Sequence, residues 1–248
     1  MLRRLCAFIA LLLFAVSAFS ADGKSVSYKS GNETVQGMLY VPSGSGPFPG
    51  IIVIHEWWGL NDWVKEQASK LADQGYAALA VDLYRGKVAT TSDEAHELVR
   101  GVPDDRAKRD LHAAFQYLVS QGNVKPSRVG AIGWCWGGGY SLEVALQEPT
   151  LAADVINYGH LAVDPAALKN ISAAILGIFG AHDRGIPVED VKQFQKTLQS
   201  MGKRAEMKIY ADAGHGFQNP NNKDGYRADD AADAWKRIIA FLVDTLKK

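Results

Sequence analysis

From Gly50 onward, short and uninterrupted apolar runs alternate with amphipathic stretches, and this alternation restricts the chain to one class of fold. Within Gly50–His55 the run Ile51-Ile52-Val53-Ile54 offers no polar residue to a solvated face, the pattern of a strand covered on both sides. Further strands are expected at Ala77–Leu83, Val129–Trp134, Val155–Tyr158, Ala174–Phe179 and Glu206–Tyr210. Helices are expected between them at about Asp62–Gln74, Ser92–Arg100, Asp104–Gln121, Gly138–Gln147 and Val188–Ser200, with a last one over 226–247. Gly75, Gly122 and Gly202 stand where helices stop, as does Pro149. Upstream, Ser25–Ser30 and Thr34–Val41 alternate apolar with polar residues around Gly31-Asn32, which reads as an antiparallel pair on one sheet edge. The expectation is an α/β fold: a mostly parallel central sheet with antiparallel N-terminal strands and helices on both faces. Pro42–Pro49 is too short to link domains, so 21–248 reads as one domain.

The first twenty residues do not belong to that pattern. Arg3 and Arg4 precede an apolar run from Ala7 to Phe19, and Ala18 and Ser20 flank Phe19 ahead of Ala21. That is the layout of a secretory signal peptide over 1–20, cleaved near Ala21 or Asp22, with the run too short to span a bilayer. The mature protein is therefore expected to be secreted, to the periplasm, without stable membrane association. Cleavage takes two of the 27 basic residues and none of the 27 acidic ones, leaving a net charge of −2, and this excludes a nucleic-acid footprint. It also takes Cys6, leaving Cys135 as the lone thiol where disulfides are favoured. No Cys/His spacing suits a metal, and no cofactor motif is present, so neither a metal nor a cofactor is expected. Nothing specifies an oligomer; a monomer is the default.

Cys135 sits in Gly133-Trp134-Cys135-Trp136-Gly137-Gly138-Gly139, directly after an expected strand and before an expected helix. This is the glycine-x-nucleophile-x-glycine elbow with cysteine at the nucleophile position. Glycines let neighbouring chain pass close to a turn this sharp, and the helix N-terminus favours negative charge on sulfur. The other reading is a glycine-rich turn around a passive core thiol. A thiol nucleophile needs a base and an orienting acid, which follow in the order acid then histidine in such folds. Asp183 lies in Gly180-Ala181-His182-Asp183-Arg184 and His215 in Ala213-Gly214-His215-Gly216-Phe217, each just past an expected strand. Asp183 as a cap for the next helix, and His182 as the base, remain alternatives. His96 and His112 read as helix-face residues.

The residue after the nucleophile, Trp136, supplies one backbone N–H for an oxyanion. The loop His55-Glu56-Trp57-Trp58-Gly59 should supply the other, at Trp57, and brings the Glu56 carboxylate near the thiol. Trp57, Trp58, Trp134 and Trp136 cluster around the expected site, either as pocket walls or as core packing.

These stretches, together with Asp82-Leu83-Tyr84-Arg85, resemble the dienelactone hydrolase (carboxymethylenebutenolidase) family of α/β-hydrolases over nearly all of 24–248. The resemblance implies the α/β-hydrolase fold and a Cys135–His215–Asp183 triad, with Glu56 contacting the thiol and taking part in its activation. It also places a substrate site around Tyr84 and Arg85, to which the tryptophan cluster adds Trp58 and Trp134 as candidates. Two departures stand out. Of the family's two carboxylate-binding arginines, the first lies two residues past the tyrosine; here Arg85 comes one residue past Tyr84 and Gly86 holds that position. The second follows the histidine by four, where this chain has Asn219. An asparagine cannot supply a fixed positive charge.

The expected function is a cysteine-dependent hydrolase of small ester or lactone substrates acting through a thioester. A general esterase or thioesterase, and a non-catalytic thiol sensor on the same fold, are the alternatives. Residues 87–102 read either as a lid or as a surface helix.

Overall fold

The structure, a computed structural model, describes residues 22–161 and 164–248; the expected signal segment lies outside them. In chain order the elements are β1 (Gly23–Ser30), β2 (Glu33–Tyr40), β3 (Phe48–Ile54), α1 (Asp62–Asp73), β4 (Ala77–Asp82), α2 (Ser92–Arg100), α3 (Asp104–Val119) and β5 (Val124–Trp134). There follow α4 (Trp136–Gln147), β6 (Ala153–Asn157), α5 (Pro165–Leu168), β7 (Ala174–Gly180), α6 (Val188–Ser200), β8 (Ala205–Tyr210) and α7 (Ala228–Leu242), with a π-helical turn at Val243–Lys247.

The strands form one eight-stranded sheet in the order β1-β2-β4-β3-β5-β6-β7-β8. β1 pairs antiparallel with β2 and β2 with β4, and every other pairing is parallel. The expected architecture is the observed one. Ile51 to Ile54 are wholly buried, as are Ala77 to Val81, because helices cover both faces of these central strands. Each such valine, leucine or isoleucine contributes roughly 1.5–3 kcal/mol of transfer free energy. α3 and α4 pack side by side on one face. α1 lies on the other with the C-terminal turn, where Lys247 Nζ donates to the Gln74 carbonyl at 2.5 Å.

Local differences from expectation have physical causes. β5 begins at Val124 because Val124 pairs with Phe48 ahead of a register shift, and Pro126 sits where β6 has not yet joined. α4 begins at Trp136, directly after the Cys135 turn, so the three glycines that weaken helix propensity lie inside its first turns, Gly137 and Gly138 packed tightly against backbone. The single turn of α5, capped by Asp164, is too short to show a period. The last helix ends as α-helix at Leu242.

The chain runs from β3 outward to β4 on one side, then crosses back to β5 on the other. Ligands in open parallel sheets bind at such a reversal, beyond the strand carboxyl ends. Glu56 follows β3 and Cys135 follows β5, so both emerge at that point.

Candidate active site

Cys135 adopts φ 56° and ψ −121°, a conformation that costs a non-glycine residue on the order of 1–3 kcal/mol. The surroundings hold it there. Its N–H donates to the Asn157 carbonyl at 3.0 Å, and its own carbonyl accepts from Gly138 at 3.0 Å. A Cβ at Gly133 would lie 2.0 Å from the Gly137 carbonyl oxygen, and one at Gly137 would lie 2.3 Å from that of His55. Only glycine fits at either place, so the elbow is wedged between β3 and its own helix.

His215 Nδ1 lies 2.7 Å from Asp183 Oδ2, and the same ring lines one cavity with the Cys135 side chain, within electrostatic reach of it. With Nδ1 committed to the acid, Nε2 is left for sulfur. Burial pulls the imidazole pKa down, but the hydrogen bonds and charges of Asp183 and Cys135 outweigh it and raise it to about 10. Asp183 is buried, and its other oxygen accepts the Gly185 N–H at 2.9 Å. It does not cap α6, whose N-cap is Pro187, without a side-chain bond. His182 points to solvent and contributes only its backbone N–H, to Ala213. His215, not His182, is the histidine brought to the thiol. His112 pairs with Glu148 on a remote face, and His96 meets the edge of Trp57 from α2.

Glu56 is buried beside them. Its Oε2 accepts from Asn219 Nδ2 at 2.6 Å, and the Tyr158 hydroxyl lies 3.5 Å from Oε1. Burial raises its pKa to about 7, against the lowering effects of Asn219, His215 and Tyr158. Below it His55 is fully buried, with Nδ1 2.6 Å from the Glu56 carbonyl oxygen and Nε2 accepting the Leu83 N–H at 3.3 Å. That pattern assigns the proton to Nδ1. Burial lowers the pKa of His55 to about 4, so this brace stays neutral. It fixes the peptide that carries the Trp57 N–H. Neither that N–H nor the one of Trp136 donates to a backbone carbonyl among the described residues.

A cavity of about 780 Å³ opens over Cys135 and His215, walled by Trp57, Trp58, Val88, Glu56 and Asn219. Trp58 and Trp57 are pocket walls. Trp134 is core: it is buried, packs on Trp63 with ring centroids 5.4 Å apart, and donates its indole N–H to Gln218. Trp136 packs against His55 and Tyr140. Tyr84 is buried behind the wall with its hydroxyl bonded to the Trp57 carbonyl. Residues 88–90 line the cavity, joined to its other wall by the Ala89 N–H to the Trp58 carbonyl at 2.9 Å; α2 beyond them buries only Ala95.

Arg85 requires correction as a substrate-binding residue. The turn after β4 winds around the Asp82 carboxylate, which accepts the N–H groups of Tyr84 and Gly86. Arg85 stands at its apex with φ 57°, and its guanidinium lies 2.7 Å from buried Asp110 and 2.8 Å from Glu33. It is not among the cavity-lining residues. Tyr158, Asn157 and Gln218 were missed by sequence reasoning. Only Asn157 and Tyr158 had a signal, their place at the carboxyl end of a central strand.

Among the described residues no group of acidic, cysteine and histidine side chains has the arrangement of a metal site, and no helix is long and apolar enough to cross a membrane.

Comparison with known proteins agrees with this geometry. A protein of Methylorubrum extorquens named "Putative carboxymethylenebutenolidase" is 35% identical over 212 residues, covering 80% of this chain and 72% of that one. "Protein usf" of Aquifex pyrophilus is 31% identical over 90% of this chain and 99% of its own. Among solved structures, a dienelactone hydrolase-like promiscuous phosphotriesterase from metagenomic libraries superposes with a TM-score of 0.84 at 28% identity, covering 91% of this chain and 99% of that one. The Dienelactone hydrolase family profile matches residues 35–246, and with the elbow, the sheet order and these relatives in agreement, the chain belongs to the dienelactone hydrolase family, hydrolases of the α/β-hydrolase fold.

Proposed function

We propose that the protein hydrolyses small esters or lactones by covalent catalysis at Cys135. One observation carries the reading: a single imidazole, His215, is bonded to the buried carboxylate of Asp183 and shares the cavity with the Cys135 thiol, within electrostatic reach of it. Asp183 holds the ring in one orientation and stabilises its cationic form. His215 takes the thiol proton, and sulfur attacks the substrate carbonyl to give a tetrahedral oxyanion. The N–H groups of Trp57 and Trp136 receive that oxyanion, where preorganised donors act most strongly. The C–O bond then breaks, His215 protonates the departing alkoxide, and a thioester is left on Cys135. Water, deprotonated by His215, cleaves the thioester and restores the thiol. Glu56 lines the same cavity and assists thiol activation. No step calls for a metal or organic cofactor.

The cavity volume falls within the roughly 300–1,000 Å³ range of small-molecule sites, and Trp57 and Trp58 give it flat apolar walls. The phosphotriesterase activity named for a structural relative supports a site tolerant of the ester it takes. The N-terminal pattern of 1–20 supports export of the mature chain to the periplasm.

The test is a panel of aryl esters and small lactones, dienelactone included, with the mature protein and Cys135→Ala. Turnover abolished in Cys135→Ala, with an acyl adduct on Cys135 in acid-quenched protein by mass spectrometry, is the expected result. Turnover that survives the substitution overturns Cys135 as nucleophile. A thiol that alkylates readily while no ester is cleaved points instead to the sensor.

A further inference from the structure

A buried carboxyl of the cavity wall, Glu56, has beside it one cation, His215, and that one is already paired with Asp183. Glu56 is held by the side-chain amide of Asn219 at 2.6 Å and faced by the Tyr158 hydroxyl at 3.5 Å, all three side chains being buried. Asn219 cannot turn its amide away. Its Oδ1 accepts the Asn221 N–H at 2.9 Å, which leaves Nδ2 aimed at Glu56. The nearby cations already have anionic partners of their own. Arg85 is consumed by Asp110 and Glu33 outside the cavity. His215 is committed to Asp183 and Cys135. Lys223, the remaining cation of the cavity wall, is exposed at the rim with Asp224 next to it.

A carboxylate brought into such a site gives up its hydration and meets no unpaired buried positive charge, since His215 is held by Asp183, and it also meets Glu56. We propose that Asn219 and Glu56 set the charge preference of the pocket: a neutral amide, and not a cation of its own, holds a buried carboxyl beside the thiol, so uncharged acyl groups enter and carboxylate-bearing ones are refused. The inference extends the hydrolase reading by naming its substrate class, uncharged esters and lactones. Asn219 acts here through Glu56 and is a positioning residue.

The preference should vary with pH, because the group that enforces it titrates near neutrality. The polar and ionisable groups facing it are Tyr158 after β6, Cys135 at the elbow, and His215 and Asn219 on the loop after β8, with Lys223 and Asp224 at the rim. Below pH 6 Glu56 is mostly neutral and exclusion should relax; above pH 8 it is charged and exclusion should be full.

Two pairs of probes differing in charge test this. Iodoacetamide and iodoacetate report on Cys135 without any turnover, each rate being normalised to free cysteine. 4-Nitrophenyl hexanoate and mono-4-nitrophenyl adipate report on hydrolysis. The neutral probe should be favoured tenfold or more at pH 8, the equivalent of about one pKa unit of interaction, and by less at pH 5.5. Asn219→Arg should bring the ratio to one or below at pH 8, and Glu56→Gln should abolish its pH dependence. A wild-type alkylation ratio equal to that of free cysteine overturns the proposal, as does a folded Glu56→Gln protein with the wild-type pH dependence. Selective alkylation without cleavage of either ester leaves the charge preference standing and sinks the hydrolase reading, so the two failures are distinguishable.

Discussion

Gln218 is bolted to Asn157: its Nε2 donates to Asn157 Oδ1 at 2.9 Å, and its Oε1 accepts the Trp134 indole N–H at 3.2 Å. Asn157 in turn donates to the Gly133 carbonyl at 2.9 Å and accepts the Cys135 N–H at 3.0 Å. One side-chain amide therefore connects the loop carrying His215 to the elbow carrying Cys135. Gln218→Leu keeps the volume and removes both bonds. We expect kcat to fall about 10- to 100-fold with KM nearly unchanged, as for a small misplacement of reacting groups. Gln218→Glu keeps the acceptor for Trp134 but can donate to Asn157 only when protonated, so it should recover activity toward low pH. A steady-state pH profile of both variants checks this, and an unchanged kcat in Gln218→Leu would remove the brace from the mechanism.

Asp183→Asn leaves a hydrogen-bonding group opposite His215 but removes the charge and the tautomer control. Loss of kcat on the order of 10³- to 10⁴-fold is expected, by analogy with removal of the acid from other triads. The circular dichroism spectrum should not change. A loss of less than tenfold would mean that another group orients the imidazole.

Asp154, the second residue of β6, is fully buried with neither carboxylate oxygen hydrogen-bonded among the described residues, and burial raises its pKa from 3.8 to about 8. In the unfolded chain the carboxyl ionises first, so the folded state holds the proton more tightly. Its contribution to stability is complete below about pH 4 and is lost as pH rises through 8. Asp154→Asn should flatten that slope and raise the melting temperature at pH 9, by a free energy on the order of a few kcal/mol. Thermal melts between pH 4 and 9 decide it, and parallel curves for the two proteins would refute it.

The ion pair of Arg85 with Asp110 predicts a stability defect in place of a binding defect. Arg85→Met strands a wholly buried carboxylate and should cost about 3–5 kcal/mol in urea unfolding. Michaelis constants for a neutral ester should stay put. A rise in KM without loss of stability would return Arg85 to the substrate site.

The sheet and the three central site residues were legible for the same reason. Cys135, Asp183 and His215 each stand in a glycine-containing segment just past a strand, and the fold gathers strand ends. Arg85 was misread because a one-residue offset changes direction completely in a tight turn, and only the Asp82 bonds to Tyr84 and Gly86 reveal which way it faces. Gln218 is invisible in the sequence because its importance lies in what it touches across more than fifty residues of chain. Trp134 and Trp58 look alike in sequence. One is buried by Trp63 and the other opens on the cavity, a distinction made by tertiary packing alone.

Within five residues the loop from His215 to Asn219 serves three clients: His215 the thiol, Gln218 the elbow and Asn219 the buried acid. These cannot be tuned one at a time. A shift that retracts the imidazole also slackens the elbow and releases Glu56, so the site is either assembled or dismantled as a unit. Drift in this lineage should accordingly leave the loop's length untouched and spend itself on the facing wall at 88–90, where a changed side chain alters the guest without disturbing the machinery.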